Sequence, residues 1–134
     1  MTLQLAKESI DLGIVVTDIE ASLAFYRDTL GLTPAGEMAL PGGGTMYRLL
    51  CGTSVIKLLV PASVPPAVAP PGGIRGSTGY RYWTIAVTNI EAVLASCTGA
   101  GYDVPVALTV LRPGVTIGIV ADPDGNWVEF VQMG

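Results

Sequence analysis

Residues 14–24 read IVVTDIEASLA and residues 85–95 read IAVTNIEAVLA, so a shift of 71 positions matches all but three of the eleven residues. A repeat at this distance is too long for a solenoid, whose units span about 20 to 50 residues. It indicates two copies of one supersecondary module. The sequence therefore predicts a single domain over residues 1–134 in which the two copies pack together.

Each copy begins with a short apolar run rich in β-branched residues, at 12–16 and at 83–87, which predicts a strand. A polar residue follows each run, and the side chain of Asp18 or Asn89 is expected to cap a helix. Apolar residues then recur every three to four positions, as on one face of a helix. Gly31 and Gly101 are expected to end the two helices.

Alternating runs after each helix predict β-hairpins, and a closing strand is predicted after the turn at 122–126. Residues 61–79 contain five prolines and four glycines, and they are expected to form a linker or a loop over a cavity mouth. The modules thus cover about 8–61 and 80–133. The predicted strands are 45–50 and 55–60 in the first copy, and 104–111, 115–121 and 127–132 in the second.

The composition narrows the choice of partners and compartment. The formal net charge is -4, which offers no basic surface for phosphates, so nucleic acid is not an expected partner. No stretch of eighteen apolar residues occurs and no secretory leader is recognised, so a soluble, cytoplasmic protein without a membrane partner is expected. Half of the residues are hydrophobic and only 13% are charged, which predicts a homodimer that covers further apolar surface.

Two groups of residues carry a resemblance to a known family. The first comprises 18–20 (DIE), 25–28 (FYRD) and 30–32 (LGL), and the second comprises 122–126 (DPDGN) with Glu129. In this order they resemble the vicinal oxygen chelate superfamily, which includes glyoxalases, bleomycin-resistance proteins and extradiol dioxygenases. The resemblance extends over almost the whole chain, and it is specific for a fold rather than for a reaction.

The resemblance implies an α+β fold of two βαβββ modules, whose curled mixed sheets form a central cleft that dimerisation often completes. Metal-dependent members hold a cation at four positions, one in the first strand and one in the last strand of each module. In this sequence those positions fall on Asp11, Lys57, Tyr82 and Glu129. Only Glu129 keeps a residue type that is usual for such a ligand.

The residue types at these positions argue against a metal centre. The chain contains no histidine, which excludes histidine-held zinc or iron and any Ser-His or Cys-His nucleophile. Asp11 and Glu129 are suitable ligands for a hard cation, but an ammonium group at Lys57 would compete for both carboxylates. No metal and no other cofactor is therefore expected.

The same four residues are candidates for acid-base chemistry. Lys57 is expected to pair with Glu129 or Asp11, because burying an isolated charge is costly. The remaining carboxylate, with a pKa raised by burial, would act as a base, and Tyr82 would donate a proton or hold an oxyanion. The alternative for each residue alone is structural: Lys57 and Glu129 form an ion pair in place of the metal, and Asp11 is exposed at a strand start.

Further residues are expected to contact a ligand. Arg48 could hold a carboxylate or an enolate in forked geometry, and Thr84 lies on the predicted face of Tyr82. The aromatic residues that could supply stacking surfaces are Tyr47, Tyr80, Tyr82, Trp83 and Trp127.

These residues support two main functional hypotheses. The first is a metal-independent enzyme that isomerises, eliminates from or hydrates a hydrophobic, oxygenated small molecule. The alternative is a non-catalytic protein that sequesters an aromatic drug or natural product, as bleomycin-resistance proteins do. A third hypothesis, in which the cleft is degenerate and the fold serves only assembly, ranks last.

Overall fold

Each copy of the repeated sequence begins a four-stranded sheet in the computed structural model, which describes residues 1–134. The chain divides into two units, Met1–Pro65 and Pro66–Gly134, and each unit contains one sheet. The order of helices and strands confirms the α+β class and the two repeated βαβββ modules. The packing of both modules into one domain with a central cleft stays a prediction.

The first unit follows the strand-helix-strand pattern expected from the sequence. Its first strand pairs in parallel with its last, and the remaining neighbours are antiparallel, in the order β1-β4-β3-β2. The elements are β1 (Leu12–Val15), α1 (Ile19–Leu23) with a π-helical continuation (Ala24–Thr29), β2 (Thr33–Ala39), β3 (Gly44–Cys51) and β4 (Ser54–Pro61).

The second unit repeats this plan after the proline-rich segment. Its sheet has the order β5-β8-β7-β6, and again only the first and last strands are parallel. The elements are a 3-10 turn (Gly73–Arg75), β5 (Tyr82–Ala86), α2 (Ile90–Gly99), β6 (Val106–Arg112), β7 (Val115–Ala121) and β8 (Trp127–Met133).

Strand alternation separates two faces in each sheet. In the first unit Ile56 and Leu58 of β4 are almost completely buried on the face that packs against α1, while Lys57 between them lies on the opposite face. In the second unit Val128 and Phe130 of β8 are buried on the face toward α2. We call the two surfaces that point away from the helices the open faces.

The first helix differs from the regular amphipathic helix that the sequence predicts. Asp18 caps it as expected, accepting a hydrogen bond of 3.2 Å from the amide of Ala21. After Leu23 the chain widens into a π-helix, in which the amide of Leu30 donates to the carbonyl of Phe25. The rings of Phe25 and Tyr26 are both fully buried and meet edge to face, with centroids 4.7 Å apart.

The second helix begins with a different cap from the one predicted. The side chain of Asn89 makes no capping hydrogen bond. The free amide of Ile90 instead donates to the side-chain carbonyl of Gln132 in β8, at 2.8 Å. The expectation for Asn89 is therefore wrong, because a side chain distant in sequence satisfies the first turn of the helix.

The structure also defines a predicted turn, the state of the two cysteines and the apolar character of the helices. The turn at 122–126 is organised by the buried carboxylate of Asp122, which accepts hydrogen bonds from the amides of Asp124 and Asn126. Cys51 and Cys97 are free thiols, and burial raises the pKa of both. None of the helices combines the length and the apolar composition that a membrane span requires.

Candidate functional site

The strand registers place Lys57 and Glu129 at equivalent points of the two units. In the first unit Gly13 of β1 pairs with Lys57 of β4, and in the second unit Thr84 of β5 pairs with Glu129 of β8. Gly13 and Thr84 are separated by the repeat distance of 71 residues. Lys57 and Glu129 therefore occupy the same place in each sheet, one on each open face.

Asp11 is held by contacts within the first unit. Its Oδ1 atom lies 2.6 Å from Nζ of Lys7 and accepts a hydrogen bond of 2.8 Å from the amide of Val55. The Lys7 ammonium also donates to the carbonyl of Thr53, at 3.1 Å. The hydrogen bonds from Lys7 and Val55, in that order, lower the pKa of Asp11. Burial was expected to raise the pKa of one carboxylate. This expectation is wrong for Asp11, whose lowered pKa makes it a weak base.

Lys57 is half-buried in the middle of β4, on the open face of the first sheet. The expected ion pair between Lys57 and Asp11 is not formed, because Lys7 takes that carboxylate. Lys57 contributes only the smallest of the effects that lower the pKa of Asp11. The alternative pairing of Lys57 with Glu129, which belongs to the other unit, stays a prediction.

Arg48 lies beside Lys57 in the adjacent strand, and its guanidinium group makes a hydrogen bond to the backbone of a third strand. Its Nη1 atom donates to the carbonyl of Ala35, at 3.1 Å, where the pairing of β2 with β3 shifts register between Pro34 and Glu37. Such a bulge leaves a carbonyl without a ladder partner. Arg48 therefore braces an irregular strand, and ligand binding by its remaining donors stays a prediction.

Two of the predicted aromatic contacts lie on the helix-facing sides of the sheets. Tyr47 pairs with Leu58, and Trp83 pairs with Val128, and both partners are fully buried. Because paired residues point to the same face of a sheet, neither aromatic ring belongs to an open face. Tyr47 therefore cannot share one surface with Lys57 in the first unit.

The second unit brings four of the predicted site residues together on its open face. Tyr82 pairs with Trp127 in the parallel register of β5 and β8, and Thr84 pairs with Glu129 one step further along. The hydroxyl of Thr84 donates a hydrogen bond of 2.8 Å to Oε1 of Glu129. Tyr82 is 46% exposed. This arrangement combines an oriented carboxylate, a phenol and an indole ring on neighbouring strands, and we call it the β5/β8 cluster.

A small cavity lies at the Trp127 end of this cluster. Its volume is about 90 Å³, and it is bounded by the segment around Pro70 and Gly73, by Arg81 and by the turn at 122–126. Tyr80 also borders the cavity, although its side chain is fully exposed. The roles of Lys7 and Arg81 were not predicted from the sequence, because no motif indicates that Lys7 contacts the carbonyl of Thr53 or that Arg81 contacts the carbonyl of Gly73.

The donor set does not fit the metal centre that the resemblance implies. A divalent cation needs several carboxylate, imidazole or thiolate donors that converge. Neither unit groups three histidine, cysteine, aspartate or glutamate side chains in this way. In the first unit one position carries an ammonium group and the other a carboxylate already paired with Lys7.

Comparison with known proteins agrees with this fold. A sequence profile of the glyoxalase/bleomycin resistance protein/dioxygenase superfamily matches residues 9–130, and the chain belongs to that superfamily. None of the curated proteins compared with the chain is significantly similar to it in sequence.

Solved structures with the same fold include proteins of different character. A glyoxalase family protein from Bacillus cereus is 16% identical, with a TM-score of 0.81 over 99% of this chain and 98% of that one. The trypanothione-dependent glyoxalase I of Leishmania major is 20% identical, with a TM-score of 0.73 over 95% and 87%. TnmS3, an antibiotic-binding protein from Streptomyces sp. CB03234, is 19% identical, with a TM-score of 0.68 over 98% and 100%. At these identities the likeness concerns the fold alone.

Proposed function

We propose that this chain binds a small, largely apolar, oxygenated organic molecule at the β5/β8 cluster, without a metal ion. The observation that carries the proposal is the hydrogen bond from Thr84 to Glu129, set beside Tyr82 and Trp127 on one open face. Aromatic side chains supply apolar contact area, and a few oriented polar groups fix the position of a ligand. A ligand with a ring and a hydroxyl or amine donor would use both parts of the cluster.

Binding alone is the function that the contacts favour. Asp11, one of the two carboxylates expected to serve as a base, is engaged by Lys7 and the amide of Val55. Its lowered pKa makes it a poor proton acceptor near neutral pH. The antibiotic-binding protein TnmS3 is an example of a binding function on this fold.

A metal-independent isomerase, lyase or hydratase is the second candidate function. It is favoured by one observation: Tyr82 and Glu129 lie diagonally across adjacent strands on the same face. In such an enzyme Glu129 would take a proton and Tyr82 would donate one or hold a developing oxyanion. Such proton transfers typically contribute about 10² to 10⁴-fold to a rate.

Native mass spectrometry of the purified protein, for co-purified small molecules, is the experiment that begins to test these functions. The molecule found is then titrated against the native chain, Glu129→Gln and Tyr82→Phe, while its chemical conversion is followed. Sequestration predicts no conversion and a loss of affinity when Trp127 is changed to Leu. Conversion that disappears in Glu129→Gln or Tyr82→Phe with affinity retained would establish the enzyme instead.

Homodimer formation and a cytoplasmic location belong to the same proposal. Exposed apolar side chains support a dimer, since Val15 and Leu50 in the first sheet and Val110 in the second are between 37% and 70% exposed. Sedimentation equilibrium at several protein concentrations tests the dimer directly.

A further inference from the structure

The segment around Gly73 packs on the indole ring of Trp127. Gly73 is buried, and a Cβ atom built on it would collide with the six-membered ring of Trp127. Gly72 and Gly73 both have a positive φ, of 95° and 56°, which residues other than glycine adopt only at a cost in free energy. The backbone therefore approaches the ring as closely as only a glycine permits.

Arg81 holds this segment in place. Its Nε atom donates to the carbonyl of Gly73 at 2.6 Å, and Nη2 donates to the carbonyls of Pro70 at 2.7 Å and Pro71 at 3.4 Å. One guanidinium group thus binds three backbone carbonyls within four consecutive residues.

An arginine suits the composition of this segment. Proline has no amide hydrogen, so Pro70 and Pro71 cannot donate to a sheet. Their carbonyls can still accept hydrogen bonds, and arginine carries five donors and no acceptor in a planar fork. Arg81 directly precedes β5, so it ties the segment to the strand that carries Tyr82.

We propose that residues 70–76 form a latch, which Arg81 holds against Trp127 and which an aromatic ligand must displace to stack on that ring. The latch covers a ring surface that belongs to the β5/β8 cluster, so this inference rests on the proposed function. Arg81 is then a positioning residue, because it acts on a ligand through Gly73 and Trp127.

The latch lowers the apparent affinity for any ligand that needs the covered ring. When only a fraction of molecules is open, the apparent dissociation constant rises by the inverse of that fraction. Loss of the Arg81 hydrogen bonds would raise the open fraction, and affinity for a planar aromatic molecule would increase. Gly73→Ala should act in the same direction, because the new methyl group pushes the segment off the ring.

Tryptophan fluorescence measures the latch separately from ligand binding. Trp83 and Trp127 are the two tryptophans of the chain, so Trp83→Phe leaves Trp127 as the sole emitter. In this background Arg81→Gln and Gly73→Ala should each raise the acrylamide quenching constant about twofold or more, as expected for a locally opened segment. Arg75→Gln is the matched control, because Arg75 is an exposed arginine of the same segment. It should leave quenching unchanged.

A second measurement covers the case in which the Trp83→Phe background does not fold. Trypsin cleaves after arginine, and Arg75 lies inside the latch. Cleavage at Arg75 should be faster in Arg81→Gln and in Gly73→Ala than in the native chain. Unchanged quenching and unchanged cleavage in both variants would overturn the latch.

Binding of 1-aminoanthracene, a neutral planar fluorescent probe, then tests what the latch controls. Arg81→Gln and Gly73→Ala should bind it about tenfold more tightly than the native chain and Arg75→Gln do. Equal or weaker binding in an opened variant would overturn the latch as a competitor for Trp127. If no variant binds the probe but quenching increases in Arg81→Gln and Gly73→Ala, the proposed function is contradicted. The displacement of residues 70–76 from Trp127 would then still be supported.

Discussion

Lys7 and Asp11 form an ion pair with Nζ and Oδ1 2.6 Å apart, and the same carboxylate oxygen accepts a hydrogen bond from the amide of Val55. This clasp fastens the segment before β1 to the start of β4. It also involves Asp11, one of the four positions at which the family resemblance implies a metal ligand. Asp11, a predicted acid-base residue, thus makes an ion pair and a backbone hydrogen bond within the first unit.

The clasp predicts a pH-dependent contribution to stability. The folded-state pKa of Asp11 lies below its ordinary value of 3.8, so the stabilisation is fully present above pH 3.8 and is lost as the pH falls through the folded-state value. Asp11→Asn should therefore lower the free energy of unfolding at pH 7, and this loss should diminish as the pH falls below 3.8. Urea denaturation at a series of pH values measures this difference.

Glu8→Gln is the matched control for that series, since it removes one carboxylate from the same exposed segment. It should show no comparable dependence. A destabilisation by Asp11→Asn that is the same at every pH would mean that the carboxylate charge is irrelevant to the clasp.

The cap of α2 gives a second prediction. Gln132→Leu removes the acceptor of the Ile90 amide and should lower the free energy of unfolding by about 0.5–2 kcal/mol, the usual cost of a lost N-cap. Asn89→Ala should cost less than about 0.5 kcal/mol, because the Asn89 side chain makes no capping bond. Chemical denaturation of both variants decides the matter, and the opposite ranking would restore the cap expected from the sequence.

The contact between α2 and β7 gives a third prediction. A Cβ atom on Gly118 would collide with the side chain of Leu94, which is 7% exposed. Gly118→Ala should therefore destabilise the protein by about 1–3 kcal/mol through overpacking. Leu94→Ala should cost about 2–5 kcal/mol through the cavity that it leaves.

The double variant distinguishes this contact from unrelated damage at two sites. Because the new methyl group enters the space left by Leu94, the two losses should fall short of additivity by about 0.5–3 kcal/mol. Strict additivity would mean that Gly118 and Leu94 do not share a packing site.

Much of the fold could be predicted from the sequence, because the patterns that indicate it are local or occur twice. The match between 14–24 and 85–95 predicted two copies of one module, and both units form a four-stranded sheet with the same strand order. The equivalence of Lys57 and Glu129 was implied by the family resemblance, and the strand registers agree with it. The hairpins around residues 51–53 and 112–114 were likewise predicted from alternation and turn residues. The location of β2 was not predicted from the residues, because Pro34 and Gly36 interrupt the alternation of its sequence.

The hydrogen-bond and ion-pair partners of individual side chains could not be predicted in the same way. Periodicity assigns a residue to one face of a strand or helix. It cannot indicate that Lys7 reaches Asp11, that Gln132 caps α2, or that Arg81 binds proline carbonyls. Lys7 lies only four residues before Asp11, but spacing alone does not define a side-chain partner. The contacts of Gln132 and Arg81 join segments that are separated in sequence.

The proposal of a metal-independent site gives a fourth prediction. Ligands that bind only the folded state raise its melting temperature by mass action. After treatment with a chelator, addition of zinc, nickel or manganese chloride should leave the melting temperature unchanged, and chelation should not weaken binding of 1-aminoanthracene. A rise of several degrees with one of these ions that is abolished in Glu129→Gln would contradict metal independence.

Residue-by-residue mapping of the bound probe tests the central proposal most directly. Titration of ¹⁵N-labelled protein with 1-aminoanthracene should shift the amide resonances of Tyr82–Ala86 and of residues 127–131, around the hydrogen bond between Thr84 and Glu129. Trp127→Leu should remove most of these shifts. Shifts confined to α2, to the first unit, or unaffected by Trp127→Leu would contradict binding at the β5/β8 cluster.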